Sequence, residues 1–148
     1  MQYLKAVSRA ALRVIPIAPF MRRQASKDTN IIGYDIPAGT QVVNTPWTVN
    51  KLQSTWGPDA EEFRPELWLK DESLGGAPNP YDFMTSSSGP KSCIGERFAR
   101  GENLALLAAL VGRFEISLVD GKWDWDVLWG VTVKPLGLNL NMKALKGW

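Results

Sequence analysis

A chain of 148 residues that is 45% hydrophobic is long enough for one domain with a core of its own. Its net charge of +2 is too small to argue for nucleic acid as a partner. The absence of histidine excludes Ser-His or Cys-His nucleophile pairs, His-ligated zinc and any imidazole general base, and a single cysteine excludes internal disulfides and cysteine-cluster zinc sites.

Residues 1–23 carry Lys5, Arg9, Arg13, Arg22 and Arg23 with no acid, so the remainder of the chain nets −3. A basic, acid-free start is shared by mitochondrial presequences and by ordinary amphipathic helices. The helix is the favoured reading, over 2–14 with Leu4, Val7, Ala11 and Val14 on its buried side, because Ile15-Pro16 and Pro19 stop it. Two β-branched runs, 31–36 and 40–44, around Pro37-Ala38-Gly39 predict a β-hairpin. Residues 46–51 read as helical. Residues 70–92 are rich in Gly, Pro, Ser and Asn and read as a long loop, which in a compact domain is usually functional. A second helix is expected over 94–112, with Phe98, Leu104, Leu106, Leu107, Leu110 and Val111 on more than one face, and therefore buried nearly all round. Segments 114–118, 131–133 and 138–142 alternate with period two and read as small antiparallel strands. The longest unbroken apolar run, Leu104 to Val111, is far too short for a membrane span, and neither a signal peptide nor an anchor is expected in these residues.

The chemistry-bearing candidate is Cys93, in the run Ser86-Ser87-Ser88-Gly89-Pro90-Lys91-Ser92-Cys93-Ile94-Gly95 just before the second helix. A thiol near a helix N-terminus faces the positive end of the macrodipole, which favours the thiolate. Gly89 and Gly95 bracket the sulfur, and without a Cβ they let the backbone approach a flat ligand. Lys91 adds a cation two positions away. An inert structural cysteine is equally compatible with this local pattern. Asp124 and Asp126 among Trp123, Trp125 and Trp129 read as a surface hairpin with aromatic packing rather than a sugar-binding carboxylate pair. Ser86-Ser87-Ser88 has no histidine to activate a serine.

Gly89-x-Lys91-x-Cys93-x-Gly95 followed by Glu96-Arg97-Phe98-Ala99-Arg100 resembles the heme-binding loop of the cytochrome P450 family, where the cysteine thiolate is the proximal ligand of heme iron. Four further segments resemble the family in its order. Arg13 with Pro16 and Pro19 matches the helix bearing Glu-x-x-Arg. Arg23, Asp28-Thr29 and Ile36-Pro37-Ala38-Gly39-Thr40 match the strand pair flanking the heme. Asp59 to Trp68 matches the Pro-Glu-Arg segment, and Gly130 to Leu140 the terminal hairpin. The style is similar to fungal secondary-metabolite members. The resemblance implies an α+β, incomplete cytochrome P450 fold: an Arg-bearing helix, small β-hairpins, the heme-ligand loop and a buried helix after the cysteine. Residues 1–148 would be the C-terminal heme-binding portion, lacking the N-terminal part and the oxygen-activating helix. It also implies heme as cofactor, Cys93 as metal ligand, and Arg23 and Lys91 beside the propionates, with Gly89 and Gly95 in the loop.

The departures are Ser86 in place of an aromatic residue, Lys91 in place of arginine, Ala10 in place of the Glu-x-x-Arg glutamate and Leu67 in place of the Pro-Glu-Arg arginine. Arg13 is thus expected to have lost both charged partners, so that it either reaches solvent or weakens the fold. Two functional readings follow from the resemblance. One is a truncated heme-thiolate protein that is not catalytically competent alone. The alternative is a fragment of an active monooxygenase that hydroxylates a small lipophilic substrate with NADPH-cytochrome P450 reductase as partner. Neither involves nucleic acid, and this chain holds no membrane anchor. Such enzymes usually sit on the endoplasmic reticulum membrane; this chain without an anchor would be cytoplasmic. The replacement of that glutamate by Ala10 and of that arginine by Leu67 favours the first reading.

Overall fold

Thirteen residues without glycine or proline, ended by Ile15-Pro16, form helix α1 (Gln2–Val14) in a computed structural model that describes residues 1–70, 74–121, 127–128 and 130–146. Its buried positions are Ala6, Ala10 and Arg13, spaced four and three apart on one face. The expected apolar stripe is therefore displaced. Leu4, Val7 and Val14 are half-buried and Ala11 is exposed. The two small alanines let indole rings approach the helix closely, whereas the branched residues beside them would hold those rings away.

Those rings come from two short helices in the following segment. After α2 (Pro46–Val49), Trp56 ends α3 (Gln53–Trp56) and Trp68 lies in α4 (Leu67–Lys70), which packs on α1. Trp68 sits 6.1 Å from Trp56 and 4.9 Å from Phe83 between ring centroids, tilted in both pairs. Trp56 and Trp68 with Ala6, Ala10, Ala60 and Ala77 make the core, and Leu67 and Phe83 pack against it. Gly75 closes over it at φ +65, and a Cβ there would lie 2.9 Å from the Trp68 ring.

Strand pairing differs from the expected hairpin. Residues 29–36 fold on themselves, β2 (Thr29–Ile31) against β3 (Tyr34–Ile36), through a two-residue turn at Ile32 and Gly33 with both φ positive. The Asn30 carboxamide holds that turn, accepting the Gly33 N–H at 2.9 Å and donating to Asp35 at 2.8 Å. Strand β4 (Gln41–Asn44) pairs instead with β1 (Met21–Gln24), setting Arg23 opposite Val42. The sequence run 31–36 looked continuous because a β-branched residue occupies a left-handed turn position that normally goes to Asn or Gly.

Helix α5 (Glu96–Arg113) follows a segment, residues 74–92, that contains 3₁₀ turns at Pro80–Asp82 and Gly89–Lys91. The expectation that α5 is buried nearly all round is overturned: none of its residues is buried, and Phe98, Leu106, Leu110 and Val111 are exposed. Its apolar residues do encircle it, but among the described residues only α1 and β5 (Phe114–Leu118) pack on it closely. Strand β5 pairs with β8 (Leu140–Ala144), and β6 (Val127–Leu128) pairs with β7 (Lys134–Pro135). Residues 131–133 are accordingly not a strand. They form the connection before β7, where Val133 is buried and its N–H bonds the Ile17 carbonyl at 2.8 Å. Asp124, Asp126, Trp123, Trp125 and Trp129 lie outside the described residues. No described helix is long and apolar enough to cross a membrane.

Candidate functional site at Cys93

The loop that presents Cys93 is shaped by backbone rather than by side chains. Ser87 (φ 63) and Gly89 (φ 77) both take left-handed conformations, turning the chain into the 3₁₀ turn of Gly89–Lys91. The Ser92 N–H then bonds the Gly89 carbonyl at 3.0 Å, and the Cys93 N–H returns to the Ser86 carbonyl at 2.8 Å. Helix α5 begins three residues on, and the Cys93 carbonyl accepts the Glu96 N–H at 3.3 Å. The thiol thus stands just outside the first helical turn. It is free and exposed.

Cys93 opens on a cleft of about 740 Å³ between α1, β1, the cysteine loop and α5. That volume lies within the range of ordinary small-molecule and cofactor sites, ~300–1,000 Å³. Leu12, Ile17, Phe83 and Leu106 contribute apolar wall. Arg23 and Lys91 line the cleft too, and both also line a neighbouring cavity of about 390 Å³. Glu96 and Arg100 pair with each other across one helical turn, as an i,i+4 ion pair. Of the five residues singled out by sequence, the fold brings Cys93, Lys91 and Arg23 to one cleft. Gly89 and Gly95 flank it without lining it. Gly89 is needed for its backbone angle. Gly95 has an ordinary φ of −86, and a Cβ there would stand 3.9 Å from the sulfur.

The donor set suits heme. A soft sulfur donor, presented by a main-chain-braced loop, faces an apolar wall with two cations beside it, which is the combination that a flat, dianionic iron macrocycle requires. The sequence profile of cytochrome P450 matches residues 1–142. The chain belongs to the cytochrome P450 family. It is 40% identical to the cytochrome P450 monooxygenase sphH of Aspergillus fumigatus, over 99% of this chain and 27% of that protein. It is 44% identical to the cytochrome P450 monooxygenase FSL4 of Gibberella zeae, over 81% and 22%, and 44% identical to cytochrome P450 71A19 of Arabidopsis thaliana, over 86% and 24%. The chain spans about a quarter of the length of these curated relatives. Cytochromes P450 are heme-thiolate proteins, so heme is the cofactor, and the family generally uses redox partners and lipophilic substrates.

Arg13 does not reach solvent, one of the two courses expected of it. It is 0% exposed and it has partners. Nη1 donates to the carbonyls of Asn50, at 3.1 Å, and Ala60, and Nη2 donates to the Glu62 carbonyl at 2.6 Å. The guanidinium lies 5.0 Å from the Trp56 ring centroid. Backbone oxygens thus take the guanidinium where the resemblance implied charged partners. Burial pushes the Arg13 pKa down, nearby Arg64 adds to that, and Asp59 opposes it; Arg64 is itself paired with Asp59. Carbonyl partners cannot be read from residue types, because every residue has one.

Proposed function

We propose that Cys93 ligates the heme iron, that Arg23 and Lys91 hold the propionates, and that these 148 residues form the thiolate wall of the site without being a competent hydroxylase alone. The observation that carries this is the convergence of the exposed thiol and both cations on one cleft. Heme, when bound, supplies oxygen activation, which thiolate ligation biases toward O–O cleavage. Arg23 offers a planar fork that suits a carboxylate. Lys91 offers a point charge with three rotatable donors, so it fixes a propionate's position less tightly than arginine would. Gly89 sets the loop, and Gly95 leaves the space beside the sulfur open. Proton delivery to the distal side needs a water-controlled pocket. Ile94, next to Cys93 in the chain, and Phe98 are both exposed.

A second reading concerns the longer protein that the relatives represent. They are named monooxygenases, which favours an activity that inserts one oxygen atom of O₂ into a small lipophilic substrate and reduces the other to water, with electrons from NADPH-cytochrome P450 reductase. The two readings separate in one assay. The heme-loaded chain is given reductase, NADPH and a panel of lipophilic compounds, with products followed by mass spectrometry and peroxide in parallel. Peroxide without product is expected. Coupled hydroxylation that disappears in Cys93→Ala overturns the claim of incompetence and restores the second reading.

A further inference from the structure

A buried asparagine ties the cysteine loop to the Arg13 site. Asn50 is 0% exposed and lies at the C-terminal end of α2, outside every motif identified in the sequence. Its Oδ1 accepts the Met84 N–H at 2.8 Å in a buried bond, and its Nδ2 donates to Thr85 Oγ1 at 2.8 Å. The Thr85 hydroxyl, having accepted one bond, donates its own proton to the Leu12 carbonyl at 2.8 Å. The Asn50 carbonyl accepts from Arg13, the residue next to Leu12. The bonds therefore close a ring through three chain segments: the end of α1, the end of α2, and residues 84–85. Every polar atom of the Asn50 carboxamide that the ring uses has a partner of the right sense. Residue 86 comes next, and its carbonyl holds the Cys93 N–H. Thr85 and Ser86 both line the cleft that Cys93 opens on.

We infer that Asn50, acting through Thr85, is the positioning residue that fixes the height and direction of the Cys93 loop. The physical reason is that the loop has few anchors of its own. Among the described residues Cys93 is exposed, and the bond from Ser86 to Cys93 spans the loop but does not attach it to the rest of the fold. The attachment comes one residue earlier, at Met84 and Thr85, and Asn50 supplies it on both the backbone and the side-chain side. The Asn50 carboxamide and the Thr85 hydroxyl each donate one bond and accept another, which leaves the ring one arrangement, so the loop is set before any ligand arrives. The inference rests on the assignment of Cys93 as the heme ligand.

The test compares Asn50→Ala, Thr85→Val and Thr85→Ser in the full chain. Thr85→Val keeps the shape and removes the hydroxyl, while Thr85→Ser keeps the hydroxyl and serves as rescue. Without heme, amide hydrogen exchange is read at Met84 and Cys93 and, as reference, along α1 and α5. With heme, the reduced carbon-monoxide-bound spectrum is read. In Asn50→Ala and Thr85→Val, exchange at Met84 and Cys93 should rise at least about tenfold over the reference amides. The Soret band should split between its thiolate position and a shorter wavelength, and Thr85→Ser should behave as the wild type. The positioning role is overturned if Thr85→Val exchanges like the wild type at both amides, or if exchange rises equally along α1 and α5, which is plain destabilisation. Cys93→Ser separates this from the ligand assignment. If it keeps the thiolate band, the ligand assignment fails, while the exchange result still decides the role of Asn50.

Discussion

Replacing Arg13 by methionine should destabilise the chain by about 2–4 kcal/mol, and the size follows from what the carbonyls would lose. A buried ion pair can often be exchanged for apolar residues at little cost, because both charges leave together. Here the acceptors are main-chain oxygens of Asn50, Ala60 and Glu62, which no side-chain substitution removes. Methionine fills much of the volume but donates nothing, so three acceptors are left beside a fully buried position. At ~1–3 kcal/mol for each unsatisfied buried group, the gross loss is about 3–9 kcal/mol. The relief of desolving the guanidinium, whose pKa burial already depresses, offsets part of that, and the lost contact with Trp56 adds ~0.5–2 kcal/mol back. The net estimate takes the low end, because backbone oxygens at Glu62 can reach water after a small shift. With a urea dependence of ~1–3 kcal/mol per molar, the denaturation midpoint should fall by about 1–2 M. Arg13→Lys should fall in between, since an ammonium has the donors but not the reach of the fork. A midpoint for Arg13→Met equal to or above the wild type would refute the reasoning, and would mean that the carbonyl set contributes nothing net.

Three further outcomes follow from the same geometry. Gly75→Ala should cost about 1–3 kcal/mol in denaturation, because the backbone is left-handed there and the new Cβ would lie 2.9 Å from the Trp68 ring; an unchanged midpoint would place the ring elsewhere. Ala10→Glu combined with Leu67→Arg should lower the midpoint rather than raise it, since Ala10 is 0% exposed in the core and Arg13 already has partners; a higher midpoint would show that Arg13 still lacks partners. Lys51 has its pKa lowered mainly by burial, with Glu61 opposing and Arg13 assisting. The unfolded chain therefore keeps a proton that the folded chain has lost, and stability should rise as pH climbs from the lowered value to that of a free lysine. Denaturation midpoints across that alkaline window should show the rise in the wild type and lose part of it in Lys51→Met; identical slopes would refute it.

What was legible in the sequence is what residue identity alone specifies. Pro16 ended α1 because proline cannot donate within a helix, and Cys93 with its glycines and lysine stood out because sulfur chemistry needs that residue type. Three features were not legible. The turn at Ile32 and Gly33 was hidden because isoleucine gave no sign of a positive φ. The exposure of α5 was misjudged because periodicity reports how much of a helix is apolar and not how many neighbours cover it. The Arg13 and Asn50 partners were invisible because they are carbonyls, a hydroxyl and an amide N–H brought from 34 to 49 positions away. The displaced face of α1 has the same origin. An arginine at position 13 reads as polar, and only its distant carbonyls make that face the buried one.

The account turns on Cys93 as the heme ligand, and the most direct measurement is the absorption spectrum of the reduced, carbon-monoxide-bound chain after loading with heme, wild type against Cys93→Ala. With no histidine in the chain to compete, the wild type should show the long-wavelength Soret band of thiolate ligation, and the variant should lose it. The same band at the same intensity in Cys93→Ala would contradict the account.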